Sequence, residues 1–331
     1  MKKTDIKPTI QVHEIANKNH KDIPGNPSTA TSSKKKLNDR SNGIPLKVLT
    51  EDDWKFWIHF GYVVIKNAVP REQAIQTAEF LWEFEEKKSE DQNTWYAPPR
   101  AEMKMKELTN SGMVEVYNHQ TLWNNRQMQR VHDAFTDIWG TEKLWVTIDR
   151  ANLNFPSKPD YEFKGFIHWD YDPETRPQNV QGVLALADQT DKNMGGFQCI
   201  PKLYRNYDTW KLTQPKDRDR FKPDVTEFKD DYHKVKLEAG DLLIFNSTTP
   251  HGIRPNLSKD KIRIAQYISM MPAEEDNIDM KEWRINSWKN RVSPEGFAFP
   301  GDPRNWEKSK YDTAMLTDLG MKLLGLESWE E

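Results

Sequence analysis

His168 and Asp170 stand two residues apart in the run Gly165-Phe166-Ile167-His168-Trp169-Asp170, and His251 follows 81 positions after Asp170 (251 − 170). Side chains of an extended segment alternate, so the imidazole and the carboxylate share one face while Trp169 takes the other. His251 comes at the end of a second strand-like run, which begins Gly240-Asp241-Leu242-Leu243-Ile244-Phe245. Two imidazoles and one carboxylate hold a divalent iron on one face and leave its remaining positions open. Arg263 lies 12 positions further on (263 − 251), within an alternating apolar segment. A guanidinium keeps its charge and forks onto a carboxylate. It therefore suits the far carboxylate of a dicarboxylic co-substrate on that metal.

Bulk properties narrow the alternatives. The 48 basic and 51 acidic side chains give a net charge of −3, which argues against a nucleic-acid surface built on net charge. The one cysteine, Cys199, excludes an intrachain disulfide framework and reads as a small buried apolar group. No run has the apolar length of a membrane span, and Met1-Lys2-Lys3 leads into no apolar signal segment, so a cytoplasmic protein is expected. The 13 tryptophans are scattered from Trp54 to Trp329 and read as core and cleft walls.

Residues 1–44 are polar and read as a disordered tail. A single domain is expected over 45–331, with an α-rich front at 45–143, a β core at 144–272 and a C-terminal helix and covering tail at 273–331. Thr50 with Asp53 marks a helix start, Gly61 its stop, and Tyr62–Ile65 a strand. Pro70 opens a longer helix through Ala74, Ala78, Leu81 and Phe84. Glu107–Asn118 fits either helix or loop, and Gln127–Trp139 reads as helix. Strands are predicted at 144–155, 163–171, 180–188, 196–200, 234–238, 241–246 and 262–270. An antiparallel set after a helical front points to a mainly β fold with flanking helices, a double-sheet jelly roll.

Each residue also has a plainer reading. A lone His-x-Asp is a common surface pair. Asp172 continues the spacing, but Pro173 turns the chain there and leaves Asp170 as the better ligand. Arg263 taken by itself fits a structural ion pair; downstream of two metal-type segments, the co-substrate reading overtakes it. Arg150, Asn152 and Asn154 share a face that lines either solvent or a polar cleft. The cleft reading puts Asn152 on the co-substrate and makes Arg150 a substrate anchor or an internal ion pair. Gln181 and Gln198 are weaker candidates by the same alternation. His13 and His20 lie in the tail, and His59, His119, His132 and His233 have no partner at ligand spacing. No Gly-rich phosphate loop or nucleophile elbow is present.

From about residue 45 to 272 the chain resembles the phytanoyl-CoA dioxygenase-like family of Fe(II)- and 2-oxoglutarate-dependent oxygenases. The similar motifs run in order: GYVVIKNAVP, GFIHWDYD, VQGVLALAD, GGFQCIPKLYR, GDLLIFNSTTPHGIRPN and RIAQYISMMP. The resemblance implies a double-stranded β-helix (cupin-like) core, iron bound by His168, Asp170 and His251, and Arg263 salt-bridged to 2-oxoglutarate. Two positions depart from many relatives: Trp169 where a polar residue is common, and Ala265 where a hydroxyl residue is common. A carboxylate at 170 speaks against halogenation, which needs that coordination position empty.

The expected activity is O2-dependent oxidation of a small-molecule C–H bond, by hydroxylation, desaturation or ring closure, with release of succinate and CO2. A cupin-like lyase or isomerase using the same His/Asp/His site is the alternative. Arg150, Arg205, Arg254 and Tyr204 are the candidate substrate contacts. Oligomeric state is not legible.

Overall fold

The computed structural model describes residues 36–96, 102, 111–157, 165–170, 172–174, 179–294 and 299–329. Most of the expected N-terminal tail, part of the 163–171 segment and residues 107–110 lie outside the described residues.

Helix α1 (Glu51–Phe60) starts as Thr50 and Asp53 suggest. The Thr50 hydroxyl accepts from the Asp53 N–H while the Asp53 carboxylate accepts from the Thr50 N–H, a reciprocal cap that satisfies two orphan donors. Gly61 ends it at φ 73°, a conformation that costs a residue with a Cβ about 1–2 kcal/mol. Strand β1 (Tyr62–Ile65) follows, then α2 (Arg71–Phe84), whose buried Ala74, Ala78, Leu81 and Phe84 recur at helical spacing. Pro70 is the residue just before that helix, not its first turn. Of the ambiguous 107–118 segment, Met113–Val114 form a short strand, β2. Helices α3 (Gln120–Arg126) and α4 (Gln129–Trp139) complete the front.

The segment 144–155 is two strands, β3 (Leu144–Val146) and β4 (Ala151–Asn154), in different sheets. The turn between them is held by Thr147, whose N–H donates to Ser269 O and whose hydroxyl accepts from the Ser269 N–H. The facing segment 262–270 divides in the same way into β10 (Arg263–Tyr267) and β11 (Met270–Pro272), because β11 pairs with β3 and β10 with β4. Between them come β5 (Val180–Ala185), β6 (Met194–Cys199), helix α5 (Pro201–Trp210), β7 (His233–Lys234), β8 (Leu242–Asn246) and β9 (His251–Asn256).

Strand β9 is the element the sequence pattern hides, since Pro255 and its polar neighbours read as a turn. It ends the order of its sheet, so the N–H that Pro255 lacks breaks no ladder bond. By contrast, the expected strand around His168 reduces, among the described residues, to an isolated antiparallel bridge between His168 and His251.

All strand pairings among the described residues are antiparallel. A six-stranded sheet has the order β1-β8-β5-β10-β4-β2, a three-stranded one β7-β6-β9, and β11 pairs with β3 alone. Two apolar layers cover the large sheet. Ile244, Leu184, Ile264 and Leu153 pack with the helices, through residues such as Trp57, Leu81 and Phe135. Val183, Ala185, Leu243, Phe245 and Ala265 pack with Phe197 and Cys199 of the three-stranded sheet. Ile264 and Ala265 thus face opposite layers, as the alternation of β10 requires.

Helices α6 (Ile278–Asn290), α7 (Trp306–Lys310) and α8 (Asp318–Leu324) close the chain. Arg284 ties them to the sheets: its fully buried guanidinium donates to Val146 O, Leu323 O and Leu324 O. Among the described residues no helix is long and apolar enough to cross a membrane.

Gly61 links α1 to the site described next. Its carbonyl accepts from the Thr249 hydroxyl, and a Cβ there would stand 2.3 Å from Thr249 Oγ1. We expect Gly61→Ala to destabilise the fold by about 1–3 kcal/mol, through a left-handed backbone and a steric clash. Denaturant unfolding checks this; an unchanged midpoint would refute it.

Candidate metal centre

β9 carries His251 at its first position. On one side its residue pairs with Cys199 of β6; on the other, backbone bonds run His168 N–H to His251 O (2.8 Å) and His251 N–H to His168 O (3.0 Å). This double bond between segments 83 residues apart (251 − 168) sets the two imidazoles side by side, ring centres 4.7 Å apart. Trp169 turns the other way, as alternation predicts. It is fully buried with Ile167, Leu203 and Trp210, and its indole N–H donates to Thr248 O (2.9 Å).

Asp170 then lies between both rings. Its Oδ1 is 3.0 Å from His168 Nε2 and its Oδ2 is 3.2 Å from His251 Nε2. One donor atom from each of the three residues falls within 4.8 Å of the others. Separations of about 3 Å are those of adjacent positions on an octahedral ion with bonds near 2.1 Å. The donor set and its spacing fit a divalent iron. Burial opposes ionisation of Asp170, but the two imidazoles outweigh it and hold the carboxyl well below the usual range. The anionic ligand form is therefore favoured.

Neighbouring groups orient the donors. His251 Nδ1 is 3.0 Å from Thr249 O; a proton held there on Nδ1 leaves Nε2 available to bind a metal. Gln181, on β5, donates from Nε2 to Asp170 Oδ2 (2.7 Å). Phe197 and Phe245 lie against the His251 ring at 5.8 and 4.4 Å, giving it an apolar wall.

Arg263, the first residue of β10, is 1% exposed. Its Nη1 donates to Asn152 Oδ1 (2.9 Å), and its Nε has no hydrogen-bond partner. Among the described residues no carboxylate pairs with it, so the structural ion pair considered from sequence is not formed. A buried charge left uncompensated costs about 3–5 kcal/mol, which marks this as a place for an anion.

Several expected contacts are placed differently. Asn152 has its carbonyl on Arg263 and its amide on Ser111 O, so both ends of its side chain are engaged by protein; it positions the arginine. Arg150 forms an internal ion pair with Glu115 (2.8 Å) and stacks on Phe299, the second of the two readings its sequence position allows. Tyr204 and Arg205 turn toward α1. Tyr204 packs at the Gly61 backbone, and Arg205 donates to His59 O (3.2 Å) over the Phe60 ring, because the helix face carrying them covers the end of α1. Asp172 caps a turn by accepting from the Glu174 N–H. Gln198 donates to Phe166 O over a long 3.4 Å. Cys199 is buried, which pushes its thiol pKa up, as an inert apolar group requires. Thr249 was not singled out from the sequence; its backbone carbonyl carries the contact, and side-chain type gives no signal for that.

Comparison with known proteins places the chain in a family. The phytanoyl-CoA dioxygenase (PhyH) profile matches residues 58–265. The chain is 27% identical over 257 residues to the Ava biosynthesis cluster protein O of Aspergillus versicolor, covering 70% of this chain and 82% of that protein. The GlcNAc Inducible Gene 2 protein of Candida albicans shares the fold at TM-score 0.61 and 14% identity, over 97% of this chain and 85% of that one. A hypothetical protein of Escherichia coli does so at TM-score 0.59 and 16% identity, over 96% and 90%. The chain belongs to the phytanoyl-CoA dioxygenase family and is a non-haem Fe(II)- and 2-oxoglutarate-dependent oxygenase.

Proposed function

We propose that this enzyme hydroxylates an unactivated C–H bond of a small biosynthetic metabolite, with His168, Asp170 and His251 as the iron ligands and Arg263 as the anchor of 2-oxoglutarate. The observation that carries the reading is that a chain with a two-imidazole, one-carboxylate cluster also buries a guanidinium, Arg263, that has no carboxylate partner among the described residues. A lyase or isomerase needs the metal cluster alone and leaves that arginine without a purpose. We further propose that the two facing sheets form a double-stranded β-helix and that residues 45–331 act as one domain. The name of the Aspergillus relative, a biosynthesis cluster protein, supports a biosynthetic substrate over a fatty acyl thioester.

Bound at this site, Fe(II) with 2-oxoglutarate and O2 supplies the oxidising chemistry, coupled to release of CO2 and succinate. The chain's residues supply geometry. Thr249 O holds the His251 tautomer, and Gln181 restrains one oxygen of Asp170. Asn152 holds the Arg263 fork, so the co-substrate enters with its far carboxylate already assigned a place. Phe197 and Phe245 exclude water from the His251 side, which strengthens each electrostatic contact there.

Arg263→Met should raise the dissociation constant of 2-oxoglutarate roughly 10- to 100-fold, the scale of a lost charge-assisted hydrogen-bonded pair, and leave Fe(II) affinity unchanged. An anaerobic titration that follows the metal-to-ligand charge-transfer absorption reads both constants; equal loss of both would contradict the assignment. Asp170→Ala and His251→Ala should abolish stoichiometric Fe(II) binding, measured by metal analysis, while circular dichroism stays that of a folded chain. Succinate formation that persists in these variants would exclude the triad. Wild-type enzyme incubated with metabolite pools should yield a product heavier by one oxygen and one equivalent of succinate.

A further inference from the structure

Arg254 lies on β9, three residues after His251, and is 6% exposed. Among the described residues its guanidinium forms no hydrogen bond, and its Nε and Nη2 are buried without partners. Other buried arginines are treated differently. Arg284 caps three carbonyls, Arg126 donates to Tyr117 O and Asp149 O, and Arg150 pairs with Glu115.

Its surroundings tie it to the Arg263 end of β10. Asn256 donates to Asn154 O (3.2 Å), and Asn154 is the register partner of Arg263. Gln189 donates to Ile264 O (3.2 Å), next to Arg263. The Gln189 Oε1 stands 3.6 Å, and Arg254 Nη2 2.8 Å, from the point where a Cβ on Gly196 would sit. Gly196, at φ 104°, thus leaves room for the guanidinium. Burial first, and then the charge of Arg263, lowers the pKa of Arg254. Two neighbouring buried cations without a carboxylate between them are repulsive until an anion enters.

We propose that Arg254 is the second arm of the anion cradle, so that the far carboxylate of 2-oxoglutarate is held between two guanidiniums, Arg254 and Arg263. This rests on the reading of Arg263 above. It removes Arg254 from the substrate contacts and makes the cradle selective for a co-substrate with a full negative charge at its far end.

The test uses Arg254→Met, Arg263→Met and wild-type enzyme, loaded with Fe(II) under anaerobic conditions and titrated with 2-oxoglutarate. The expected result for Arg254→Met is a dissociation constant raised roughly tenfold or more, with Fe(II) affinity unchanged. Its ligand-free melting temperature should equal or exceed that of wild type, because a repelled buried charge has been removed. Arg254→Lys, which keeps the charge without the fork, should fall between the two. An unchanged 2-oxoglutarate constant in Arg254→Met, while Arg263→Met loses affinity, overturns the second arm and leaves the Arg263 reading intact. Unchanged constants in both variants overturn the parent reading as well. A lowered ligand-free melting temperature, or failure to fold, in Arg254→Met assigns the guanidinium to structure and also overturns the proposal.

Discussion

The pair of backbone hydrogen bonds between His168 and His251 is the constraint on which the site depends. Each residue donates to and accepts from the other, so neither imidazole can move along its strand without breaking the bridge. Because β9 is also laddered to β6, the bridge locks the His168 segment to the three-stranded sheet. Asp170, two residues on, then has one direction available, between the rings. A chain of contacts runs outward from there. The Thr249 carbonyl holds His251, the Thr249 hydroxyl holds Gly61 O, and Gly61 ends the first helix. The front of the molecule thereby braces the His251 side of the cluster.

Buried arginines divide the molecule into two kinds of place. Where the fold needs only packing, the guanidinium is spent on backbone carbonyls, as with Arg284 on the α8 end and Arg126 over Trp123. By contrast, Arg263 has one amide partner and Arg254 has none among the described residues. All four are buried, yet only the latter two lack a backbone-carbonyl partner among the described residues. That contrast, and not burial alone, separates a binding cation from a structural one.

The His168, Asp170 and His251 cluster, the buried arginine and the first helix are legible because each is signalled locally. Alternation puts His168 and Asp170 on one face, and Thr50 with Asp53 announces a cap. What escaped depended on partners far along the chain. The 144–155 run reads as one strand, but Thr147 is bonded to Ser269 and the chain bends there. β9 was hidden by Pro255, whose missing N–H matters only if a strand lies alongside. Asn152 and Arg150 have side chains that suit a ligand as well as they suit Arg263 and Glu115, and no spacing rule distinguishes those partners.

Side-chain chemistry and its order along the chain were thus determined by the sequence by itself: which groups can bind a divalent metal, which can grip a carboxylate, and which faces they occupy. Only the tertiary structure decided which of the buried cations lack a protein counter-charge. Pairing across 100 residues or more, as between Asn152 and Arg263 (263 − 152 = 111), is fixed by strand register and sheet order. Those arise from the summed burial of both faces of the large sheet, and no single stretch of the chain encodes them.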